Sequence, residues 1–464
     1  MDTTLKTFKY QFIKFFQWIS WIVICFGVLI LILATFDKLP ILAFPFGNNW
    51  LIISLGSLSI GILLYSLLIY LTRPSGIQNN HIWIQGISAR KATAWIVSLI
   101  LTFFYCILYW WPEYLGHSDA GENTGLIAFF DPLSMYLKNK PASQWFVYGA
   151  LYTLAILLFG IKFILKYRHN RYQVIRTISV MFFQTGIAFL LPEYLLKMNL
   201  PYNDYKNMWP LNYYFFDGWH IQELLSHGNI GRNMLLFGIL MIVFISPVLT
   251  YFYGKRWYCS WVCGCGGLAE TAGDSFRHLS DKSIKSWKLE RILVYAVLLF
   301  SIIMTAGVIY TFQTGQTHVL GISSAALRSW YGFIIGAVFS GVIGVGFYPL
   351  LGSRVWCRFG CPMAAILGIQ QRFFSRFRIT TNGSQCISCG NCTTYCEMGI
   401  DVRSYAQRGA NIVRASCVGC GICAAVCPRG VLRLENGSVD LFSRTEKPKP
   451  NPQITDSIPY EELM

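Results

Sequence analysis

The chain has 464 residues, 54% hydrophobic and only 13% charged, with a net charge of +16 and a mean hydropathy of +0.45. A chain this apolar needs a bilayer as its solvent, which excludes an ordinary soluble domain. The basic excess then reads as lysine and arginine retained beside membrane spans, and no nucleic-acid partner is expected.

Runs long enough to cross ~30 Å of hydrocarbon lie near 15–36, 50–71, 94–111, 144–165, 174–196, 233–253, 290–312 and 330–351. The first is too long for a signal-peptide core and has no small-residue cleavage site after it, so it reads as a retained helix. Cations alternate from loop to loop. Lys6, Lys9 and Lys14 precede the first span, Arg73, Arg90 and Lys91 flank the second loop, and Lys166, Arg168, Arg171 and Arg176 the fourth. Lys255, Arg256, Arg277, Lys282, Lys285 and Lys288 fill the sixth, whereas the third holds Glu113, Asp119, Glu122 and Asp131. The positive-inside rule places both termini on the cytoplasmic side of a bacterial inner membrane. On that reading the charge excess is topological.

Two internal echoes suggest duplication. Pro112-Glu113-Tyr114-Leu115 recurs as Pro192-Glu193-Tyr194-Leu195, each followed by Phe-Phe-Asp, at 129–131 and 215–217. The external loops 112–142 and 197–232 are then candidates for docking a periplasmic redox partner. Glu113 and Glu193 could assist quinol deprotonation, although simple interfacial placement explains them as well.

The second echo carries cysteine. Gly254-Lys255-Arg256-Trp257-Tyr258-Cys259-x3-Cys263 follows the sixth span, and Gly352-Ser353-Arg354-Val355-Trp356-Cys357-x3-Cys361-Pro362 follows the eighth. Both obey G-x-R-x2-C-x3-C at the cytoplasmic edge. Cysteines at i and i+4 of a helix share a face, so each motif can present two thiols to one centre. Cys265 makes a fifth thiol. A third iron–sulfur or copper centre, a redox-active dithiol without metal, and plain structural cysteines all remain open. Gly332, Gly336, Ser340 and Gly344 form a small-residue stripe that permits close helix contact. Cys25 and Cys106, inside apolar spans, read as small buried side chains.

Residues 386–396 read Cys386-x2-Cys389-x2-Cys392-x3-Cys396, and 417–427 repeat it as Cys417-x2-Cys420-x2-Cys423-x3-Cys427. This is the bacterial two-cluster spacing, in which the fourth cysteine of each run ligates the other cluster. One [4Fe–4S] cluster is then expected on Cys386, Cys389, Cys392 and Cys427, and a second on Cys417, Cys420, Cys423 and Cys396. Pro428 follows the second run, whereas Glu397 follows the first, a departure that changes a turn and not a ligand. Between 354 and 433 stand ten arginines, no lysine, and two acids, Glu397 and Asp401. Such guanidinium density favours the more negative, reduced clusters and contact with lipid headgroups, the latter along 363–378.

The expected fold is an all-α polytopic membrane domain of about eight helices plus a small α+β ferredoxin-like domain. Its parts are a transmembrane region over 1–232, a second with the two cysteine motifs over 233–380, the ferredoxin domain over 381–440 and a disordered tail over 441–464.

Over roughly 233–435 these motifs resemble the membrane polyferredoxins of the NapH, NosR and CcoG type. Cys357, Cys361 and Pro362 match the second membrane-edge motif of that family. Cys259 and Cys263 match the first, with Gly264 where the family has proline. The resemblance implies electron transfer linked to the quinone pool, to periplasmic reductases, or to metalloenzyme assembly. The external loops are too short for the flavin domain of NosR-like proteins.

No C-x2-C-H, no G-x4-G-K-[ST] and no histidine inside a span occur, so c-type haem, nucleotide-driven transport and bis-histidine haem lack support. Membrane-bound electron transfer between a cytoplasmic or quinone-level donor and a partner redox enzyme is the leading function, without a catalytic residue of its own. A copper-assembly or metal-reducing factor is the alternative.

Overall fold

The computed structural model describes residues 2–37, 49–72, 92–118, 122–319 and 321–436, with side chains from Gln11 onward. Arg73, Arg90, Lys91, Asp119, the side chains of Lys6 and Lys9, and the tail beyond 436 lie outside the described residues. Among those described, eight helices are long and apolar enough to cross a membrane: Gln11–Thr35, Trp50–Tyr70, Ala92–Trp110, Gln144–Lys166, Arg171–Lys197, Gly228–Tyr253, Ile284–Thr314 and Ser324–Ile343. Each overlaps an expected run. By internal packing the chain forms two compact units, Met1–Gly76 with Cys106–His169, and Ile77–Tyr105 with Asn170–Met464.

In the first unit the opening two spans form a close hairpin. A Cβ on Gly27 would stand 2.8 Å from Leu58, and one on Gly61 would stand 2.6 Å from Ile24. Ser54 Oγ donates to the Gly27 carbonyl at 2.9 Å. With no hydrophobic force to pull helices together in lipid, such backbone approach supplies the packing. Beyond the third span, Asp131 organises the following loop by accepting from Asn123 Nδ2 (2.9 Å) and from the Ala142 amide (2.6 Å). The first sequence echo is unequal in space: Pro112–Leu115 is a separate turn, whereas Pro192 lies inside the helix Leu191–Lys197 that ends the fifth span. Cys25 is exposed on its helix and Cys106 half-buried, so neither is the buried side chain expected.

The second unit holds all the remaining cysteines. Its eighth span ends earlier than the expected run, at Ile343, and a short helix Tyr348–Leu351 follows a turn. Gly346 makes that turn possible: Ser98 Oγ of the third span donates to its carbonyl at 2.8 Å, and a Cβ there would meet Thr102 Oγ1 at 2.6 Å. The small-residue stripe is met at its start by an aromatic ring of the loop before the sixth span. Gly332 faces the Tyr213 hydroxyl of the preceding loop, 2.9 Å from where a Cβ would lie.

The cysteine-rich end is a small α+β fold. Strand Phe377–Thr381 pairs antiparallel with Leu432–Asn436, Phe377 opposite Asn436 and Thr381 opposite Leu432. Short helices Asn391–Thr394, Val402–Gln407 and Ile422–Ala425 lie between them in sequence. Phe377, Ile379, Ile400, Val402, Ile412 and Leu432 fill their common core.

Candidate functional site

Neither C-x3-C motif is a continuous helix. Cys259 ends the short helix Arg256–Cys259, the chain turns, and Cys263 precedes the next helix, Gly264–Thr271, in extended conformation. Cys361 likewise caps Pro362–Phe373, its Sγ accepting from the Ala364 amide at 3.4 Å. Pro362 at the first helical position suits this break, since its missing N–H has no partner there in any case. A thiolate at a helix start also sits in favourable field from the exposed amides. The expectation of two thiols one helical turn apart is therefore replaced by a helix–turn–helix, with the second sulfur at the new helix's mouth.

The structure gathers all five membrane-edge thiols. Burial pushes the Cys259 thiol up to about 12 despite Lys255 and Arg354 nearby, with Cys263 and Cys357 adding to the rise. Cys357 is raised by burial against the Arg354 charge, and Cys361 is raised by burial and by Cys357, Cys259 and Cys263. A hydrogen bond from the Cys265 thiol holds Cys263 down to about 6, while Cys265 itself is pushed up. Cys265, the surplus thiol in the sequence, is thus the partner of Cys263. Among the described residues no three His, Cys, Asp or Glu side chains are gathered tightly enough for one metal ion. Thiolates about 2.3 Å from a single tetrahedral metal would lie within about 4 Å of one another.

In the ferredoxin fold the eight cysteines divide between two cavities. Cys386, Cys389, Cys392 and Cys427 line one, together with Arg403 and Arg429. Cys396, Cys417, Cys420 and Cys423 line the other, with Glu397 and Gly421. A pocket walled by four sulfur donors fits a [4Fe–4S] cluster in donor chemistry. The first cavity is outermost, with Cys389 exposed. The second is inner: burial raises Cys417 to about 11 and also raises Cys396, Cys420 and Cys423.

The fifth span holds the inner cavity from one side. Tyr172 Oη donates to the Gly419 carbonyl (2.9 Å) and Gln173 Nε2 to the Cys420 carbonyl (2.8 Å). Gln371, on the helix after Cys361, accepts from the Lys255 amide (2.8 Å) and donates to the carbonyls of Arg414 and Cys417 (both 2.8 Å). The motif after the sixth span, the motif after the eighth and the inner cluster loop therefore share one hydrogen-bonded frame.

Between them lies a buried ionic network absent from the sequence reading. Arg176 pairs with Glu270, and Glu270 also pairs with Arg354. Arg354 Nε stands 3.1 Å from Glu397, and Arg277 Nη1 stands 2.9 Å from the same carboxylate. Arg277 also meets Asp274 at 3.1 Å, and Arg358 meets Glu290 at 2.7 Å. Burial disfavours the Glu397 anion, but Arg277, Arg354 and Arg176 outweigh it and hold the carboxyl below its usual range. At Glu270 burial wins over Arg176 and Arg354, and the carboxyl is raised. Arg176, Arg277 and Lys255, counted as loop charge from sequence, are each no more than 1% exposed. Part of the basic excess is thus structural and not topological. The available signal was Glu397 itself, one of two acids amid ten arginines.

An apolar groove of about 910 Å³ runs between the fifth and sixth spans, past Phe183, Ile187, Phe237 and Met241, to Trp257 and Tyr258 beside Cys259. His220 is buried against the rings of Tyr214 and Trp219.

Comparison with known proteins agrees with this division. A 4Fe-4S dicluster domain matches residues 385–432. A 4Fe-4S binding domain matches twice, over 235–283 and 333–380, the two segments that carry the G-x-R-x2-C-x3-C echo. The chain is 24% identical over 175 residues to YccM of Escherichia coli (strain K12), named for electron transport, covering 36% of this chain and 48% of that protein. It is 26% identical over 187 residues to the methylamine utilization ferredoxin-type protein MauN of Methylobacillus flagellatus, covering 38% and 58% respectively. The alignments thus span roughly half the length of these curated relatives. No solved structure matches the chain significantly.

Proposed function

We propose that this chain, a multi-pass membrane protein with ferredoxin-type 4Fe–4S domains, transfers electrons between a cytoplasmic or quinone-level donor and a partner redox enzyme. The reading rests on one observation: two separate cavities, each walled by four cysteines, three from one run and the fourth from the other. Cys386, Cys389, Cys392 and Cys427 hold the outer cluster, and Cys396, Cys417, Cys420 and Cys423 the inner one. When bound, such clusters supply one-electron carriers whose potential follows charge, hydrogen bonding and exposure. The protein's own part is to order them. Exposed Cys389 and Ile387 put the outer site within reach of a soluble donor, with Arg403 and Arg429 to receive an acidic one.

The membrane-edge thiols Cys259, Cys263, Cys357 and Cys361, with Cys265 in support, form the third centre in this scheme. Iron–sulfur is favoured there over copper by the doubled 4Fe-4S match, which falls on the two segments carrying these cysteines. The apolar groove ending at Trp257 and Tyr258 gives a lipid-soluble carrier of the quinone type an approach to that centre. The basic residues around the sixth loop favour a cytoplasmic position for all three centres, in the bacterial inner membrane. The external loops 112–142 and 197–232 remain the surfaces offered to a periplasmic partner.

Anaerobic purification with iron and sulfide quantitation, followed by EPR during a redox titration, tests the reading. Two ferredoxin-type signals are expected, and a third that disappears in Cys357→Ser. Protein devoid of acid-labile sulfide overturns it.

A further inference from the structure

We propose that Arg354 and Glu397 form an electrostatic link tying the reduction potential of the inner ferredoxin centre to that of the membrane-edge centre. The proposal rests on the cluster assignment above and goes beyond it by naming the residues that couple the two sites.

Glu397 follows Cys396, at the position where the second run has Pro428. Its side chain is fully buried, and it lines the inner cavity beside Cys396 and Cys420. Two guanidinium groups reach it, Arg277 at 2.9 Å and Arg354 at 3.1 Å. Its carbonyl accepts from Ser280 Oγ at 2.7 Å, which fixes the backbone as well. Arg354 is the G-x-R arginine of the second membrane-edge motif. It donates to Cys357 Sγ at 3.6 Å and to the Cys259 carbonyl at 3.3 Å, so it touches both halves of that centre. One carboxylate at the inner site and one guanidinium at the membrane-edge site therefore meet directly.

A second route closes the loop. Arg354 pairs with Glu270, Glu270 with Arg176, and Arg176 Nη2 donates to Gln173 Oε1 at 2.6 Å. Gln173 in turn donates to the Cys420 carbonyl at 2.8 Å. The described network has three guanidiniums, Arg176, Arg277 and Arg354, against three carboxylates, Glu270, Asp274 and Glu397.

Stability alone is a weak reason for such a network, because well-packed apolar residues of similar volume usually serve as well. Its charges lie in a medium where they are poorly screened. Charge added at one centre is felt by Arg354, and through Glu397 by the other. Glu397 and Arg354 are in this sense positioning residues for potential.

The sign follows from charge. Removing the Glu397 carboxylate leaves Arg277 and Arg354 uncompensated beside the inner centre, which favours its reduced, more negative state. In Glu397→Gln the inner midpoint should rise by at least a tenfold shift in the reduction equilibrium, about 59 mV for one electron. Glu397→Asp keeps the charge and should stay near the unsubstituted protein. Arg354→Lys keeps the charge but loses the fork geometry, and should separate the two midpoints less than Glu397→Gln does.

The experiment is an EPR-monitored redox titration of the anaerobically purified full chain and these variants, with iron content measured on each sample. A raised inner midpoint in Glu397→Gln accompanied by a raised membrane-edge midpoint, both restored in Glu397→Asp, supports the link. An unshifted membrane-edge midpoint in Glu397→Gln with full iron content overturns it. If Glu397→Gln loses iron, Arg354→Gln is read instead. It removes the cation shared by the two centres and should lower both reduction equilibria at least tenfold, and a shift confined to one centre overturns the link. Absence of the two ferredoxin signals or of the third signal in the unsubstituted protein would defeat the cluster assignment itself, which is a distinguishable failure.

Discussion

The two cluster loops share one cysteine spacing and differ in surroundings. In the outer run, Ser388 adopts a left-handed conformation at φ +59° and its hydroxyl accepts from Gln407 Nε2 at 2.7 Å. In the inner run the equivalent position is Gly419, at φ +62°. A Cβ there would stand 2.7 Å from Arg256 Cβ and 3.0 Å from the Phe377 ring. The same pairing recurs two residues on: a Cβ on Gly390 would be 3.9 Å from its nearest neighbour, one on Gly421 only 3.0 Å from Tyr172. Equal spacing of sulfur thus serves two environments, one open to solution and one wedged between the fifth span, the first membrane-edge motif and the sheet.

The largest effects should come from the cysteines. Cys423→Ser removes a buried sulfur of the inner site and should abolish that cluster, destabilising the domain to the point of protease sensitivity. Cys389→Ser should remove only the outer EPR signal and leave the inner midpoint titratable. Equal damage from both, measured by iron content and limited proteolysis, would break the contrast between inner and outer sites.

Next comes the network that backs the inner site. Arg176→Leu leaves Glu270 buried with one partner fewer and should destabilise by about 3–5 kcal/mol, read as a lowered thermal midpoint in detergent. Adding Glu270→Leu should restore part of the loss, and a strictly additive double variant would show that the pair does not interact.

Exchanging the loop residues sharpens the comparison. Gly419→Ser, which copies the outer run, should destabilise by about 1–3 kcal/mol through crowding at a left-handed position. Ser388→Gly loses one exposed hydrogen bond and should change stability by about 1 kcal/mol or less. Similar losses in the two thermal melts would refute the account given for Gly419.

The smallest change belongs to the groove. Met241→Trp should fill it and slow reduction by a soluble quinol analogue by a few-fold, with all EPR midpoints unchanged. An unaltered rate would remove the groove from the path of electrons.

Much of this architecture was legible in local pattern. Eight hydrophobic runs sufficed to place eight spans, because the bilayer demands a fixed length of continuous apolar helix. The x2-x2-x3 spacing pointed to two sulfur-lined sites with crossed fourth cysteines, and Cys427 does line the cavity of Cys386, Cys389 and Cys392. The repeated G-x-R-x2-C-x3-C located both membrane-edge motifs. Their local form was misread, since Pro362 signals a helix start and the cysteine before it is a cap.

The partners of Glu397 were not legible at all. Arg277 and Arg354 lie 120 and 43 residues away in sequence, and no window-based periodicity links them. Arg176, Arg277 and Lys255 look like loop charge in sequence, because position relative to a span says nothing about what later folds over it.

By itself, then, the sequence determined which segments are long and apolar enough to cross a bilayer and which cysteines come to line each cavity. Both are set by short-range rules of hydrophobic length and ligand spacing. Only the tertiary structure decided that the inner cluster loop would be clamped against both membrane-edge motifs by buried ion pairs. Charges so far apart along the chain acquire their meaning only when folding removes the water between them.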